Sequence, residues 1–448
     1  MAFTDLRIFI DFLENQGELL KIEESLDSKF EVSAAIRHGA KKTNKAVFID
    51  KVKGYDCPVV GNLLGSRKRM AMALDIREEE LAGKIFLNEH DFIAPENVNT
   101  GPVKDVIINQ DINLFEIMPV LTYHENDASP YITQGIVFMK DRQTGFETMG
   151  VHRLQVKGND RLGALFDRGT SAEILRNAEE RGEPLEVVVV IGVDPATLLA
   201  SIIVAPFGNK FGIAGALRGV PLDMVQAENV DLRIPAQAMF ALEGRIIPGF
   251  REAEGPFGES TGYYFTGENP VIQIETVTHQ KYPIYPVFVP WDKEDETILN
   301  LTNNPHILKK LRSSFPSIVD MKMIFSAGMA FISINKRYES EPREILYSVL
   351  STNFMVKIAI IVDDDIDLES QKERTWAAGT RCFPAKDIIL VESVSGIAID
   401  PTAKGKDFVV SKLGIDATKP LSNKNAFRKI QTPPEVQEKI SIMLKKYL

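Results

Sequence analysis

Leu185-Glu186-Val187-Val188-Val189-Val190-Ile191-Gly192-Val193 and, further on, Val271-Ile272-Gln273-Ile274-Glu275-Thr276-Val277 are short runs rich in β-branched residues. Such side chains lose rotamer freedom in a helix and fit a pleated, half-buried surface. Alternating or β-rich runs of this kind, punctuated by Gly and Pro, fill the chain from about Leu114 to Thr302, so this region is expected to be mostly strand, with a helix near Ser171 to Arg181. Before it, Asp5 is a plausible N-cap for apolar residues at Leu6, Phe9, Ile10 and Leu13, with Gly17 as a stop, which makes an amphipathic helix of about three turns. A second helical pattern near Glu31 to Ala40 and strand-like runs at Ala46 to Ile49 and Pro58 to Asn62 complete an α/β domain that closes near residue 110. Beyond about Pro316, strand-like runs (Met329 to Ile334, Val356 to Val362, Asp387 to Glu392) alternate with helical stretches and read as a second α/β unit. No internal repeat or low-complexity linker interrupts this order.

The 448 residues, 44% of them hydrophobic, suffice for roughly two or three domains with cores of their own. The formal charge of −10 from 52 basic and 62 acidic residues argues against general affinity for nucleic acid or an anionic membrane. Any anionic ligand must then be held by a local arrangement of Lys, Arg or backbone N–H groups. Cys57 and Cys382 are too few for a disulfide framework or a Cys-rich zinc site, and a reducing cytoplasm is the natural compartment. Asp5, Arg7 and Asp11 break up any leader-like apolar run, and no apolar run approaches the roughly 18 residues of a membrane span.

No Gly-x-Gly-x-x-Gly follows a strand and no Gly-x-x-x-x-Gly-Lys loop occurs, so neither a dinucleotide fold nor a P-loop is signalled. The six histidines (His38, His90, His124, His152, His279, His306) never stand at zinc-ligand spacing. Asp363-Asp364-Asp365 and Asp367 follow a buried-looking strand, where they can hold a hard cation or, as the simpler reading, cap the next helix. Gly65-Ser66-Arg67-Lys68-Arg69 resembles a small anion-binding turn, although basic residues opening a helix usually form a solvated face. One constellation stands out: Arg153, in Thr148-Met149-Gly150-Val151-His152-Arg153, together with Glu254-Gly255-Pro256-Phe257-Gly258-Glu259. Two carboxylates five apart on a Gly-Pro loop can turn toward one pocket, where an Arg binds a substrate carboxylate through two parallel bonds or tunes a neighbouring acid. Spacing alone favours the plainer reading of a surface turn.

Seven separated segments, in order, are similar to signatures of the UbiD family: Asp5-Leu6-Arg7 with Gly17-Glu18-Leu19, Val52-Lys53-Gly54-Tyr55 with Pro58 to Asn62, Gly192-Val193-Asp194-Pro195-Ala196, Ala214-Gly215-Ala216-Leu217-Arg218-Gly219, Glu254 to Glu259, Thr380-Arg381, and Ser411 to Thr418. The resemblance implies an α+β multidomain fold: an N-terminal α/β domain (1–112), a central split β-barrel flavin-binding domain (113–315) and a C-terminal α/β oligomerisation domain (316–448). It also implies a reversible decarboxylase that acts on an unsaturated or aromatic carboxylic acid through prenylated FMN, works as a homo-oligomer (dimer or hexamer), and depends on a flavin prenyltransferase as cofactor source. On the family pattern Glu259 is the acid that protonates the carbon vacated by CO₂, while Arg153 and Glu254 hold the substrate carboxylate. Flavin contacts are expected from Val151, His152 and Arg153, from Ala164, Leu165 and Phe166, and from Arg168 and Gly169, with Lys412 approaching the flavin phosphate.

The chain departs from the family where a divalent metal such as Mn²⁺ is usually held by an Asn, a His and a Glu. The matching positions read Thr148, Asp167 and Lys210. An ammonium cannot ligate a cation, so no metal ligand is assigned. Either Lys210 pairs directly with the phosphate in the metal's place, or the chain is a non-catalytic or unmodified-FMN-binding paralogue, such as a subunit of a multi-component carboxylase. Retention of Arg153, Glu254 and Glu259 together favours the first reading.

Overall fold

The computed structural model describes residues 3–85, 87, 89–166, 168–203, 209–405 and 407–444, without the side chains of residues 89 and 303–306. The chain is a mixed α/β protein with two compact units. The first comprises Met1–Lys310, Met323–Gly328 and Ser395–Val410, and the second Leu311–Lys322, Met329–Val394 and Ser411–Leu448.

The first unit is organised by six antiparallel strands: β1 (Tyr131–Lys140), β2 (Glu147–Lys157), β3 (Arg161–Ala164), β4 (Leu185–Ile191), β5 (Phe240–Gly258) and β6 (Tyr264–His279). They follow the order β5-β4-β1-β2-β3-β6, and β5 also pairs with β6, so the strands at the two ends of the series bond to each other. β4 is the first run quoted above. Val187 to Ile191 are all fully buried, as a β-branched strand covered on both faces should be. A short strand, Val106–Ile108, extends the sheet along β6.

A four-stranded sheet of Leu19–Leu26, Ala46–Val52, Val59–Gly61 and Tyr285–Val287 shares one continuous hydrophobic core with these strands. The helix expected near the N-terminus is Leu6–Asn15. The Asp5 carboxylate accepts from the N–H groups of Arg7 and Ile8, and Leu6, Phe9, Ile10 and Leu13 are its buried face. Arg69 departs from the solvated face expected of it. It is completely buried, and its guanidinium donates to Leu63 O at 2.9 Å, to Asn62 O at 3.0 Å and to Asn44 O.

Besides a single turn at Leu114–Ile117, the mostly-strand middle contains, among the described residues, the helices α1 (Gly169–Glu180), α2 (Pro195–Ile202) and α3 (Lys210–Arg218). Only α1 was expected. A long helix, α4 (Lys293–Ser314), follows the strand Tyr285–Val287. In the second unit, a five-stranded sheet runs in the order Ile318–Ile324, Met329–Ile334, Ile358–Asp363, Val409–Ala417, Ile388–Ser395, with parallel pairing between the second, third and fourth members. Helices such as α5 (Glu341–Thr352) alternate with its strands. Here the acidic run does not cap a helix, as first expected. Asp363 and Asp365 both take Arg381, at 2.8 and 2.9 Å, and Asp365 also takes the Lys419 ammonium at 2.7 Å. Among the described residues no helix is long and apolar enough to cross a membrane.

Candidate active site

Successive residues of a strand face opposite ways, so β2 serves two surroundings at once. Arg153 and Gln155 share one face, and Thr148, Gly150 and His152 share the other.

On the first face, Arg153 meets the tip of β5. Its Nε and Nη2 reach the two oxygens of Glu254 at 3.3 and 2.8 Å, and its Nη1 pairs with Glu259. Glu254 is 1% exposed and Glu259 7%, so both carboxyl groups lie inside the protein with one guanidinium between them. Glu254 also accepts from Asn269 Nδ2 at 2.9 Å. The guanidinium lies 4.9 Å from the ring centre of Phe265 and 5.6 Å from that of Phe257, where aromatic faces favour a cation. The Tyr131 ring stacks 4.1 Å from Phe257, and burial together with the nearby Glu254 keeps its phenol protonated well above the usual range.

The backbone explains how residues five apart reach one arginine. Glu254 still lies in the β5–β6 ladder, opposite Gly267, but the register shifts before Phe257 pairs with Phe265. The shift contains Gly255 at φ +96 and the cis Gly255–Pro256 bond. A Cβ at Gly255 would meet Phe265 O at 2.4 Å, so only glycine fits there. Gly255 N–H is held by Gln155 Oε1 at 3.2 Å, from the same face of β2 as Arg153.

On the second face, His152 places Nδ1 3.1 Å from Leu165 O and stacks edge-on against Phe166 at 4.6 Å. Leu165 has its carbonyl fixed by this contact, and Ala164 is buried at the end of β3. Packing, opposed by the Leu165 carbonyl and assisted by the charge of Lys210, draws the His152 pKa down to about 4. A Cβ at Gly150 would stand 3.2 Å from His152 Nε2 and 3.8 Å from Ser171 Oγ, which brings the first turn of α1 to this face. Thr148 is buried here. Lys210, the first residue of α3, donates to Ser201 O at 2.6 Å, and desolvation lowers its pKa to about 8.

α1 begins after Arg168, whose side chain does not cap it; Gly169 follows at φ +78, with open space where a side chain would stand. The Arg168 guanidinium reaches Asp407 O at 3.3 Å. The structure thus brings Thr148, His152, Leu165, Phe166 and Lys210 to one neighbourhood, and Arg153, Glu254 and Glu259 to another across the same strand, with Val151 on the Arg153 face. Asp167 lies outside the described residues. Lys412 belongs to the second unit, where its ammonium donates to Leu350 O at 3.1 Å and Asn353 O at 2.7 Å at the end of α5. Among the described residues, no three His, Cys, Asp or Glu side chains gather as a metal site would require.

Comparison with known proteins gives three matches along the chain. Residues 10–86 match the 3-octaprenyl-4-hydroxybenzoate carboxy-lyase N-terminal domain, residues 96–293 its Rift-related domain and residues 296–417 its C-terminal domain. A phenolic acid decarboxylase from Sedimentibacter hydroxybenzoicus is 33% identical over all of this chain and 98% of its own. The UbiD-class enzyme HmfF from Pelotomaculum thermopropionicum, solved in complex with FMN, superposes with a TM-score of 0.88 at 34% identity, covering 96% of this chain and 97% of the other. An evolved dimeric form of HmfF in complex with prFMN superposes at 0.85 with 33% identity over the same shares.

Proposed function

Because the chain belongs to the UbiD family of carboxy-lyases, we propose that it decarboxylates an unsaturated or aromatic carboxylic acid, reversibly, with prenylated FMN as cofactor. The observation that carries this reading is the sharing of Arg153 between the buried carboxyl groups of Glu254 and Glu259. The complexes of HmfF with FMN and prFMN support the choice of cofactor.

The residues present fit a phosphate-bearing flavin. The start of α1 offers backbone N–H groups that no side chain of Arg168 caps, behind a glycine that leaves room for close approach. Lys210 adds a positive charge whose cost of burial a phosphate would offset. Thr148, His152, Ala164, Leu165, Phe166, Arg168 and Gly169 would hold the remainder, in the six-strand ring read here as the family's split barrel. When bound, the modified flavin supplies the electron sink that no side chain offers for carbon–carbon cleavage.

The chain's own residues do the rest. Arg153 is held at two nitrogens by Glu254 and pairs through its third with Glu259, which supports the reading that its remaining N–H donors receive the substrate carboxylate. Glu259 delivers a proton to the carbon that CO₂ leaves and takes one back from solvent. Phe257, Phe265 and Tyr131 keep water from the guanidinium. The dimeric HmfF form supports a homo-oligomer, as does the helix Pro434–Leu444, which buries none of its residues and exposes Val436, Ile440, Ile442, Met443 and Leu444.

The test is to co-express the chain with a flavin prenyltransferase, weigh the released cofactor by denaturing mass spectrometry, and follow exchange of ¹³CO₂ into a panel of aromatic and acrylic-type acids. Prenylated FMN with exchange on at least one acid is expected. Ordinary FMN, or no flavin, without exchange overturns the proposal.

A further inference from the structure

The turn that begins at Glu259 is fastened at several points, and one side chain holds two of them. Gly262 N–H donates to Glu259 O at 2.8 Å and Glu259 N–H to Tyr263 O at 2.9 Å, which closes the turn. Ahead of it, Gly258 N–H donates to Asp127 Oδ1 at 3.0 Å, while the other oxygen of Asp127 takes the N–H groups of Tyr123 at 3.1 Å and His124 at 2.8 Å. Inside it, the Thr261 hydroxyl donates to Ile399 O at 3.1 Å, and the Ser260 hydroxyl hydrogen-bonds the carboxyl group of Asp295.

Asp295 stands in the first turn of α4 and also takes Trp291 N–H at 3.3 Å. Trp291 has φ +56, a conformation that bulky aromatic residues rarely adopt and that persists only where the surroundings enforce it. Its indole lies against the same turn: a Cβ at Gly262 would come within 2.9 Å of Trp291 Cε2. Trp291 is nevertheless 61% exposed, so little apolar burial holds it there.

We infer that Asp295 is a positioning residue for Glu259: it fixes the turn through Ser260 and pins Trp291 against Gly262, so that Glu259 stays on Arg153. Its importance to turnover rests on the reading of Glu259 as proton donor given above; its hold on the turn does not. Burial lifts the Asp295 pKa to about 6 against the opposing bonds from Ser260 and Trp291, with Glu296 and Asp292 adding to the rise. Of these neighbours, Glu296 is engaged by the N–H groups of Phe325 and Ser326, and Asp292 faces Arg37 at 3.5 Å, which in turn contacts His124.

Two tryptophans make the test direct, since Trp376→Phe leaves Trp291 as the sole indole of the full chain. In that background, Trp291 emission is expected to titrate with a midpoint near 6. Asp295→Asn, whose amide oxygen still accepts, should abolish the titration and keep the turn protected. Asp295→Ala and Ser260→Ala should each speed hydrogen exchange of a peptide spanning 258–263 by roughly three- to tenfold, as expected for the loss of one ordinary hydrogen bond. The double variant should add little, because both act through one contact. Wild-type exchange and emission in Asp295→Ala, or full additivity of the two, overturns the inference, and Ser260→Ala decides the matter if Asp295→Ala does not fold. Where decarboxylation is measurable, kcat should fall with KM unchanged. Wild-type protein without any decarboxylation would sink the proposed function and leave the exchange result standing.

Discussion

Arg153 grips Glu254 at two points, Nε to Oε1 at 3.3 Å and Nη2 to Oε2 at 2.8 Å, and keeps Nη1 for Glu259. Removing one partner of a buried pair strands the other. Arg153→Ala should therefore cost about 3–5 kcal/mol of stability in urea denaturation, because the buried Glu254 would lose its only cationic partner among the described residues and keep neutral donors such as Asn269. Arg153→Lys keeps the charge but loses the fork, and should lie between the two.

Glu259→Gln preserves the shape of the side chain and removes the transferable proton. Decarboxylation, followed as CO₂ release, should fall by roughly 10²- to 10⁴-fold, while flavin content and Tm stay near wild type. Loss of flavin in this variant would give Glu259 a structural role instead.

Lys210 carries a pKa near 8 before any phosphate is bound. Its charge fades as pH rises through that value, so capture of the flavin by the apo-protein should weaken between pH 7 and 9, approximately. Lys210→Arg should flatten this dependence. Lys210→Glu should make flavin retention depend on added Mn²⁺, and metal-free retention by that variant would count against phosphate pairing.

His152 titrates near 4 when folded against an ordinary 6.5. Between these values the unfolded chain binds more protons than the folded one, so this residue's contribution to stability rises with pH across the window and is constant above it. His152→Gln should remove that rise from a plot of urea midpoint against pH.

Lys412 should reveal itself as a helix-capping cation. Lys412→Met leaves the carbonyls of Leu350 and Asn353 without their donor and should cost about 1–3 kcal/mol, with flavin content unchanged. Loss of flavin at unaltered Tm would place Lys412 at the phosphate.

What could be read in the sequence was local. The Asp5 cap and the apolar spacing of Leu6 to Leu13 define their helix within a few residues. α2 was missed although Asp194-Pro195 carried its start signal: the Asp194 carboxylate accepts from Thr197 N–H and Pro195 opens the helix. α3 likewise has Asn209 as cap and Gly219 at φ +74 as stop. Arg69 was misread because charge dominates expectation, whereas three backbone carbonyls make burial tolerable. Arg153 and Glu254 are 101 residues apart and meet only through strand pairing, which spacing cannot show; resemblance supplied the grouping. Asp295, Ser260 and Trp291 carried no motif at all, since their relation is purely tertiary.

Glu254 sits inside the β5–β6 ladder and Glu259 just beyond its end. A change at Glu254 must contend with cross-strand registry, whereas the four residues from Glu259 to Gly262 form a turn held by groups from outside the ladder. Combinatorial libraries restricted to Ser260 and Thr261, together with Trp291, would sample new placements of the Glu259 carboxyl group while leaving Arg153 and its grip on Glu254 untouched, and so separate the evolvable part of this site from its inherited frame.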